Sequence, residues 1–249
     1  MGIKTDERVV QYLKKKIAES TKIVVVVGMD ALVETGGLDY FSNEHTYRIE
    51  EKYGYSPEDI FTTSFYNSKV EKFYNFYKKE VLNMRLEPGK ISEAIFVLQK
   101  KNKLLGVINQ NYLPLPDEVF FKKVININGS IMINKCPRCN EKYNLGFIKK
   151  SSAIPLCEKC KVTIRPEIRL IGERVDAIKM AEVANICEEA DVLLVLGKDH
   201  FDEHLEYNAD PEKEQLKVLF CKEDYVINGR FDYIIHDDIQ EILPYLVQD

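Results

Sequence analysis

Residues 22–28 read KIVVVVG, and this stretch decides the fold. Five β-branched residues, Ile23 and the four valines after it, follow one another without a polar interruption. Such a run is typical of a strand that is buried on both faces, as in a parallel sheet covered by helices. Gly28 ends the run, so the chain turns at that position.

The rest of the chain supplies the neighbours of such a strand. Val9, Leu13 and Ile17 recur at helical spacing behind Thr5 or Asp6, either of which can cap a first helix. Helical patterns recur in SEAIFVLQKKN, AIKMAEVANICEEA and DIQEILPYLV, and strand patterns in LLGVIN, KVININGS, DVLLVLG, QLKVLFC and FDYIIH. This alternation predicts the α/β class, with a Rossmann-like, doubly wound parallel sheet.

Two stretches interrupt the alternation and predict a second, smaller domain. We expect a large domain from residues 1–40, 90–130 and 166–249, and a small domain from a helical insertion at 41–89 and a zinc-ribbon insertion at 131–165. The helical insertion is rich in aromatic residues. Packing of these rings in a core is the common arrangement, and an aromatic-lined ligand cleft is the alternative.

Composition argues against several classes of function. The chain has 249 residues and a net charge of −5, and its basic clusters are scattered, so we expect no nucleic-acid and no membrane partner. No apolar run approaches the ~18 residues of a membrane span. The N-terminus lacks the apolar core of a signal peptide. We therefore expect a cytoplasmic protein.

Four of the six cysteines form the strongest local motif. Cys136 and Cys139 form one CxxC turn, and Cys157 and Cys160 form another after 17 intervening residues. Two such turns can hold one ion in a tetrahedron of thiolates, which leaves no open coordination position. We predict a structural zinc site. A redox dithiol and a nucleic-acid-binding zinc ribbon are the alternatives.

The order of these motifs resembles that of the sirtuins over roughly residues 20–247. VVVVGMDALVETGGLDYF lies where sirtuins have a strand followed by GAGIS and GIPDFR, INQNYLPLP where they have TQNID.LH, and NINGS where they have HGS. After the cysteines, TIRPEIRLIGERV is similar to LRPDVVLFGE, and DVLLVLGKDH lies where a strand leads into GTS. The segment from YRIEEKYGY to KFYNFY resembles the macrodomain-linked sirtuins, which transfer ADP-ribose to protein and lack the usual histidine.

The resemblance implies a Rossmann domain that binds NAD, a small zinc-containing domain, and chemistry on a protein substrate in the cleft between them. By position, the cofactor-binding residues would be Gly28, Asp39, Gln110, Asn111 and Gly197.

Several positions depart from the sirtuin pattern. Asp30 stands at the second glycine of GAGIS, Leu113 at the aspartate of TQNID, and Asn128 at the catalytic histidine of HGS. Lys198 and Asp199 replace the Thr-Ser of GTS. Asn128 has no group that titrates near neutral pH, so it cannot act as a general base.

Asp30 bears directly on cofactor binding. A glycine-rich turn lets backbone N–H groups approach a pyrophosphate closely, whereas Asp30 adds a side chain and a like charge. At 4 Å and an effective dielectric of 20, two unit charges repel by about 4 kcal/mol. An ion pair between Asp30 and Lys198 is the arrangement that would fill the phosphate site from within.

We therefore expect a divergent sirtuin-fold zinc protein with a degraded NAD pocket, catalytically impaired and acting by binding a protein partner or an altered ligand. The alternative is an active NAD-dependent protein ADP-ribosyltransferase or deacylase, in which Asn111 would orient a water or the nicotinamide ribose. His200 and His204, four residues apart, form either a metal pair or a polar surface turn.

Overall fold

The computed structural model describes residues 3–37, 39, 42–116, 118–197, 214–221 and 231–248. Within these ranges the helices are α1 (Glu7–Glu19), α2 (Met29–Glu34), α3 (Asn43–Tyr53), α4 (Pro57–Ile60), α5 (Thr63–Ser68), α6 (Val70–Phe76), α7 (Lys90–Lys100), α8 (Leu145–Lys150), α9 (Ala177–Glu189) and α10 (Ile239–Val247). The strands are β1 (Ile23–Val27), β2 (Leu104–Asn109), β3 (Val124–Asn126), β4 (Gly129–Lys135), β5 (Lys142–Tyr143), β6 (Arg165–Ile168), β7 (Val192–Leu196), β8 (Leu216–Phe220) and β9 (Tyr233–Ile235).

The large sheet confirms the doubly wound prediction. In the described part of the chain it has six parallel strands in the order β3-β2-β1-β7-β8-β9. The five residues of β1 are fully buried. Their side chains alternate between a core shared with α1, α7 and α10 and a core shared with α9. Helices therefore cover both faces, and strand order reverses between β1 and β7.

One predicted strand is wrong. KVININGS does not form a single strand, because β3 ends in the large sheet and β4 begins in a separate three-stranded antiparallel sheet of order β5-β4-β6. The chain changes sheets at Ile127 and Asn128, just before Gly129, whose φ is +82°. A Cβ at Gly129 would lie 1.9 Å from the carbonyl oxygen of Glu167, so only glycine permits this crossing of β4 and β6.

The aromatic residues of the helical insertion pack in a core. Phe73, Tyr74, Phe76 and Tyr77 are fully buried, so these four rings do not line an open cleft. The helix α6 continues after Phe76 into a π-helical turn, Tyr77–Val81.

The two insertions pack on each other. The hydroxyl of Tyr74 donates a hydrogen bond to the carbonyl oxygen of Ile164. The ammonium of Lys78 donates to the hydroxyl of Ser151 at 2.7 Å and also to backbone carbonyls just after α8. The assignment of 41–89 and 131–165 to one small domain stays a prediction. No helix among the described residues is long and apolar enough to cross a membrane.

Asp237 fastens the N-terminal segment to the chain just before α10. Its carboxylate accepts hydrogen bonds from the backbone N–H groups of Lys4 and Thr5, at 2.9 and 2.8 Å, and from the Thr5 hydroxyl. Burial alone would raise the pKa of this carboxyl, but the hydrogen bonds from Thr5 and Lys4 outweigh burial and hold the pKa below its ordinary value of 3.8. The ionised form is therefore favoured by folding.

Asp237→Asn is expected to lower the free energy of unfolding by about 1–3 kcal/mol, because an amide places an N–H against these donors. A depressed folded pKa contributes stability above the unfolded value, and this contribution is lost as pH falls through the folded pKa. Urea unfolding between about pH 3 and pH 7 should thus show that the free energy of unfolding falls less on acidification for the variant than for the wild type. The exposed Glu51→Gln is the control. An equal fall in the free energy of unfolding on acidification for D237N and the wild type would contradict the stabilising role of the Asp237 carboxylate.

Candidate functional site

The carboxyl ends of β1 and β7 meet where strand order reverses, which is the usual ligand-binding position in an open α/β sheet. Val27 lies opposite Leu196, and the backbone N–H of Gly28 donates to the carbonyl oxygen of Leu196 at 2.9 Å. The structure therefore brings Gly28 and Gly197, two predicted cofactor residues, to one edge.

Asp30 lies between these two turns. A Cβ at Gly197, whose φ is +81°, would lie 2.5 Å from the Cβ of Asp30, so the Asp30 side chain packs directly against the Gly197 backbone. Asp30 is also in the first turn of α2, where the positive end of the helix dipole favours a carboxylate. A carboxylate of the protein thus occupies the edge where the sirtuin resemblance would place a pyrophosphate. The predicted partner Lys198 and its neighbour Asp199 lie outside the described residues.

Gln110 and Asn111 bind the end of β1. The backbone N–H of Gln110 donates to the carbonyl oxygen of Val27 at 3.0 Å. The side-chain amide of Asn111 donates to the carbonyl oxygens of Val27 and Gly28 at 3.2 and 3.1 Å. Both residues are almost completely buried. In this arrangement the Asn111 amide nitrogen holds the backbone, and its buried carbonyl oxygen accepts no hydrogen bond from the described residues.

A chain of amide side chains, which the sequence interpretation missed, fixes the loop after β2. Asn109 donates to the Asn126 side chain at 2.8 Å and to the carbonyl oxygen of Leu113 at 2.9 Å. Asn126 in turn donates to the Glu118 carboxylate at 2.6 Å. Leu113, at the position that the resemblance assigns to the aspartate, is buried in the core that contains the aromatic residues of the helical insertion. This loop is therefore held by its own hydrogen bonds.

Asn128 is held at both ends of its side chain. Its amide nitrogen donates to the carbonyl oxygen of Gln110, and its carbonyl oxygen accepts from Nε of Arg169 at 2.7 Å. It is also nearly fully buried. The position that the sirtuin resemblance assigns to the histidine therefore carries a neutral amide in contact with a guanidinium, a group that donates and cannot take a proton.

Arg169 is a site residue that sequence interpretation missed. It stands among the apolar residues of EIRLI, and a charge within a strand-like run was the available signal. Asp39 follows α2, and its carbonyl oxygen accepts from the Ser42 hydroxyl at 3.0 Å. Phe41, at the arginine position of GIPDFR, and the pair His200 and His204 lie outside the described residues.

The four cysteines come together from two turns. Cys136 and Cys139 lie in the turn after β4, and Cys157 and Cys160 lie in a turn after α8. The Sγ atoms of Cys136, Cys139, Cys157 and Cys160 all lie within 4.8 Å of one another. Zinc–sulfur bonds of about 2.3 Å in a tetrahedron place sulfur atoms about 3.8 Å apart, and the Cys139–Cys157 separation is 3.7 Å. The geometry therefore fits a zinc ribbon.

Two hydrogen bonds favour the thiolate form of Cys157. The hydroxyl of Tyr143 donates to its Sγ at 3.2 Å, and the backbone N–H of Cys160 donates at 3.3 Å. The Tyr143 hydrogen bond is the main cause that lowers the pKa of Cys157 to about 6, against the opposing effect of burial. Cys187 and Cys221 lie outside this cluster and are buried in the core that packs α9 on the large sheet.

Curated relatives match nearly the whole chain. An NAD-dependent protein deacetylase of Clostridium tetani is 27% identical over 238 residues, which cover 95% of this chain and 96% of that protein. A protein of the same name from Staphylococcus epidermidis is 26% identical over 238 residues, 96% of each chain.

Solved structures share the fold. A Sir2Tm structure with a bound propionylated peptide has a TM-score of 0.78 and 24% identity, and the match covers 95% of this chain and 96% of that one. A Sir2 homologue in complex with NAD has a TM-score of 0.80 and 22% identity, with coverage of 99% and 94%. The model of the Sir2 family matches residues 27–200, which is more than half of the sequence, and the chain therefore belongs to the Sir2 family, the sirtuins.

Proposed function

We propose that this chain is a Sir2-family protein whose NAD-dependent turnover is impaired and which acts by binding a protein ligand in its cleft. The observation that supports this most is the state of Asn128, whose amide nitrogen binds Gln110 and whose carbonyl oxygen binds Arg169. A proton-accepting side chain is absent at that position, and a positioned general base contributes about 10²–10⁴-fold to such reactions.

The cofactor side of the cleft supports the same proposal. Asp30 places a carboxylate against Gly197 at the switch point, which opposes an incoming pyrophosphate. Leu113 replaces a side chain that could hydrogen-bond an amide ligand. The turn keeps its shape through Gln110, Asn111 and Gly28. We therefore infer that NAD and ADP-ribose still bind, but weakly.

The relatives from Clostridium and Staphylococcus favour a second candidate, NAD-dependent protein deacylation. Their similarity spans this chain almost completely, so the general architecture needed for that reaction is available. A comparison of the turnover of this protein with that of one of these relatives distinguishes the two candidate functions.

Turnover of an acetylated peptide with NAD is expected to be at least about 10²-fold lower for this protein than for the Clostridium tetani deacetylase under the same conditions. The reason is the missing base at Asn128. Nicotinamide release and peptide deacetylation should be followed separately, so that ADP-ribosyl transfer is also detected. Comparable turnover of the two proteins would overturn the proposal in favour of deacylation.

Asp30→Gly is expected to tighten NAD and ADP-ribose binding by about tenfold or more, because it removes both a side chain and a like charge from the turn. Isothermal titration calorimetry with each ligand measures this. Asp30→Asn keeps the size and removes the charge, so it separates the two effects. Wild-type affinity equal to that of D30G would show that Asp30 does not obstruct the pocket.

We also propose that the cysteine cluster holds one structural zinc ion. Elemental analysis of protein purified in reductant is expected to give about one equivalent, and Cys139→Ser should lose most of it together with thermal stability, since three thiolates remain. Cys187→Ala, which lies outside the cluster, should keep full metal content. Less than ~0.5 equivalents in the wild type would count against the site.

A further inference from the structure

A pocket of about 410 Å³ opens beside Asn128, on the side formed by β6 and the start of α9. Residues from the segments 127–129, 165–169 and 173–176 line it together with Lys179. Seven of its lining residues are charged: the cations Arg165, Arg169, Arg174 and Lys179, and the carboxylates Glu167, Glu173 and Asp176. The balance between them decides what the pocket can bind.

The carboxylates of this pocket are already engaged. Glu173 binds Arg165 at 2.5 Å with one oxygen and accepts from the backbone N–H of Leu170 with the other. Glu167 pairs with Lys135 at 2.8 Å, and Lys135 is not among the lining residues.

Asp176 caps α9. Its side chain accepts the backbone N–H groups of Ile178 and Lys179. Its negative charge therefore lies at the positive end of the helix, where it is stabilised locally.

Arg174 and Lys179 form no ion pair with these carboxylates. Arg174 is exposed and forms no hydrogen bond or ion pair with any described residue. Lys179 donates to a neutral group, the backbone carbonyl oxygen of Asn126, at 2.7 Å. Arg169 donates through Nε to another neutral group, the side chain of Asn128. Arg174 and Lys179 thus face one capping carboxylate, in a protein whose net charge is −5.

The cations are also brought together by the backbone. Lys179 and Arg169 bind Asn126 and Asn128, which are only two residues apart at the point where the chain changes sheets. Arg174 lines the same pocket. Two guanidinium groups and one ammonium group therefore converge on one cavity, and guanidinium groups bind carboxylates in a bidentate manner.

We propose that this pocket binds the carboxylate groups of an acidic segment of a partner protein, with Arg174 and Lys179 as the residues that select for negative charge. The inference rests on the proposed function in that the ligand of the cleft is a protein. A nucleotide is disfavoured because the described lining residues include no aromatic ring on which a base could stack. The local positive charge also attracts an acidic partner to an otherwise acidic protein.

The test uses the full-length protein and a fluorescent peptide of alternating glutamate and alanine, with a glutamine-alanine peptide of equal length as the uncharged probe. Binding is measured by fluorescence anisotropy at low salt and without NAD. The variant R174Q/K179Q removes the two selecting charges and spares Arg169, which contacts Asn128. The control K149Q/K150Q makes the same charge change at two exposed positions of α8, and thermal unfolding verifies that both variants are folded.

The glutamate peptide is expected to bind the wild type and the control equally, to bind R174Q/K179Q about tenfold or more weakly, and to weaken with added salt. The glutamine peptide should bind none of them. Equal binding to the wild type and R174Q/K179Q, equal binding of the two peptides, or no binding of the glutamate peptide would each overturn the proposal.

A parallel titration with ADP-ribose distinguishes phosphate from carboxylate recognition. Loss of ADP-ribose binding in R174Q/K179Q, without binding of the glutamate peptide, would assign the pocket to phosphate and overturn the proposal. Because the peptide assay contains no NAD, the discovery of efficient deacylation would overturn the proposed function and leave this result intact.

Discussion

The pairing of β1 with β7 is the interaction on which the rest of the structure depends. Both strands are buried on both faces, and full burial of each valine or isoleucine side chain contributes roughly 1.5–3 kcal/mol. Their register sets Val27 opposite Leu196 and thereby places Gly28 and Gly197 side by side. Strand order reverses at this pair, and in open α/β sheets such a reversal is the usual position of a ligand site. A polar residue within either strand would therefore damage the stability and the site together.

The same edge explains why the site is assembled from distant segments. The Asn111 side chain attaches the loop after β2 to the end of β1 by donating to the carbonyl oxygen of Gly28. In the same loop, the carbonyl oxygen of Gln110 accepts a hydrogen bond from the Asn128 side chain. Each attachment uses a backbone group at the end of a buried strand. These hydrogen bonds hold the loop after β2 and the end of β1 together through backbone groups. The shape of this edge therefore depends on backbone partners, whereas the proposed loss of turnover depends on a few side chains.

Sequence patterns predicted what depends on neighbours along the chain. The β-branched run of β1 and the CxxC spacing indicate a buried parallel strand and a four-thiolate cluster without knowledge of the fold. The change of sheet at Asn128 could not be predicted, because it depends on the close approach of Gly129 to Glu167. The contact between Arg169 and Asn128 joins residues 41 apart in the sequence. Local patterns carry no information about such a pair beyond the presence of a charge in an apolar segment.

The hydrogen bond from Arg169 to Asn128 bears on the proposal that this position lacks a general base. A histidine in place of Asn128 would face a guanidinium, and a neighbouring positive charge lowers a histidine pKa below its ordinary value of about 6.5. Its neutral form would accept the Nε–H of Arg169, so its lone pair would not be available to take a proton from a ligand. An asparagine satisfies the same donor at no electrostatic cost. With Arg169 in place, the asparagine is the better hydrogen-bond partner, which supports the proposal that Asn128 holds a cation and does not move a proton.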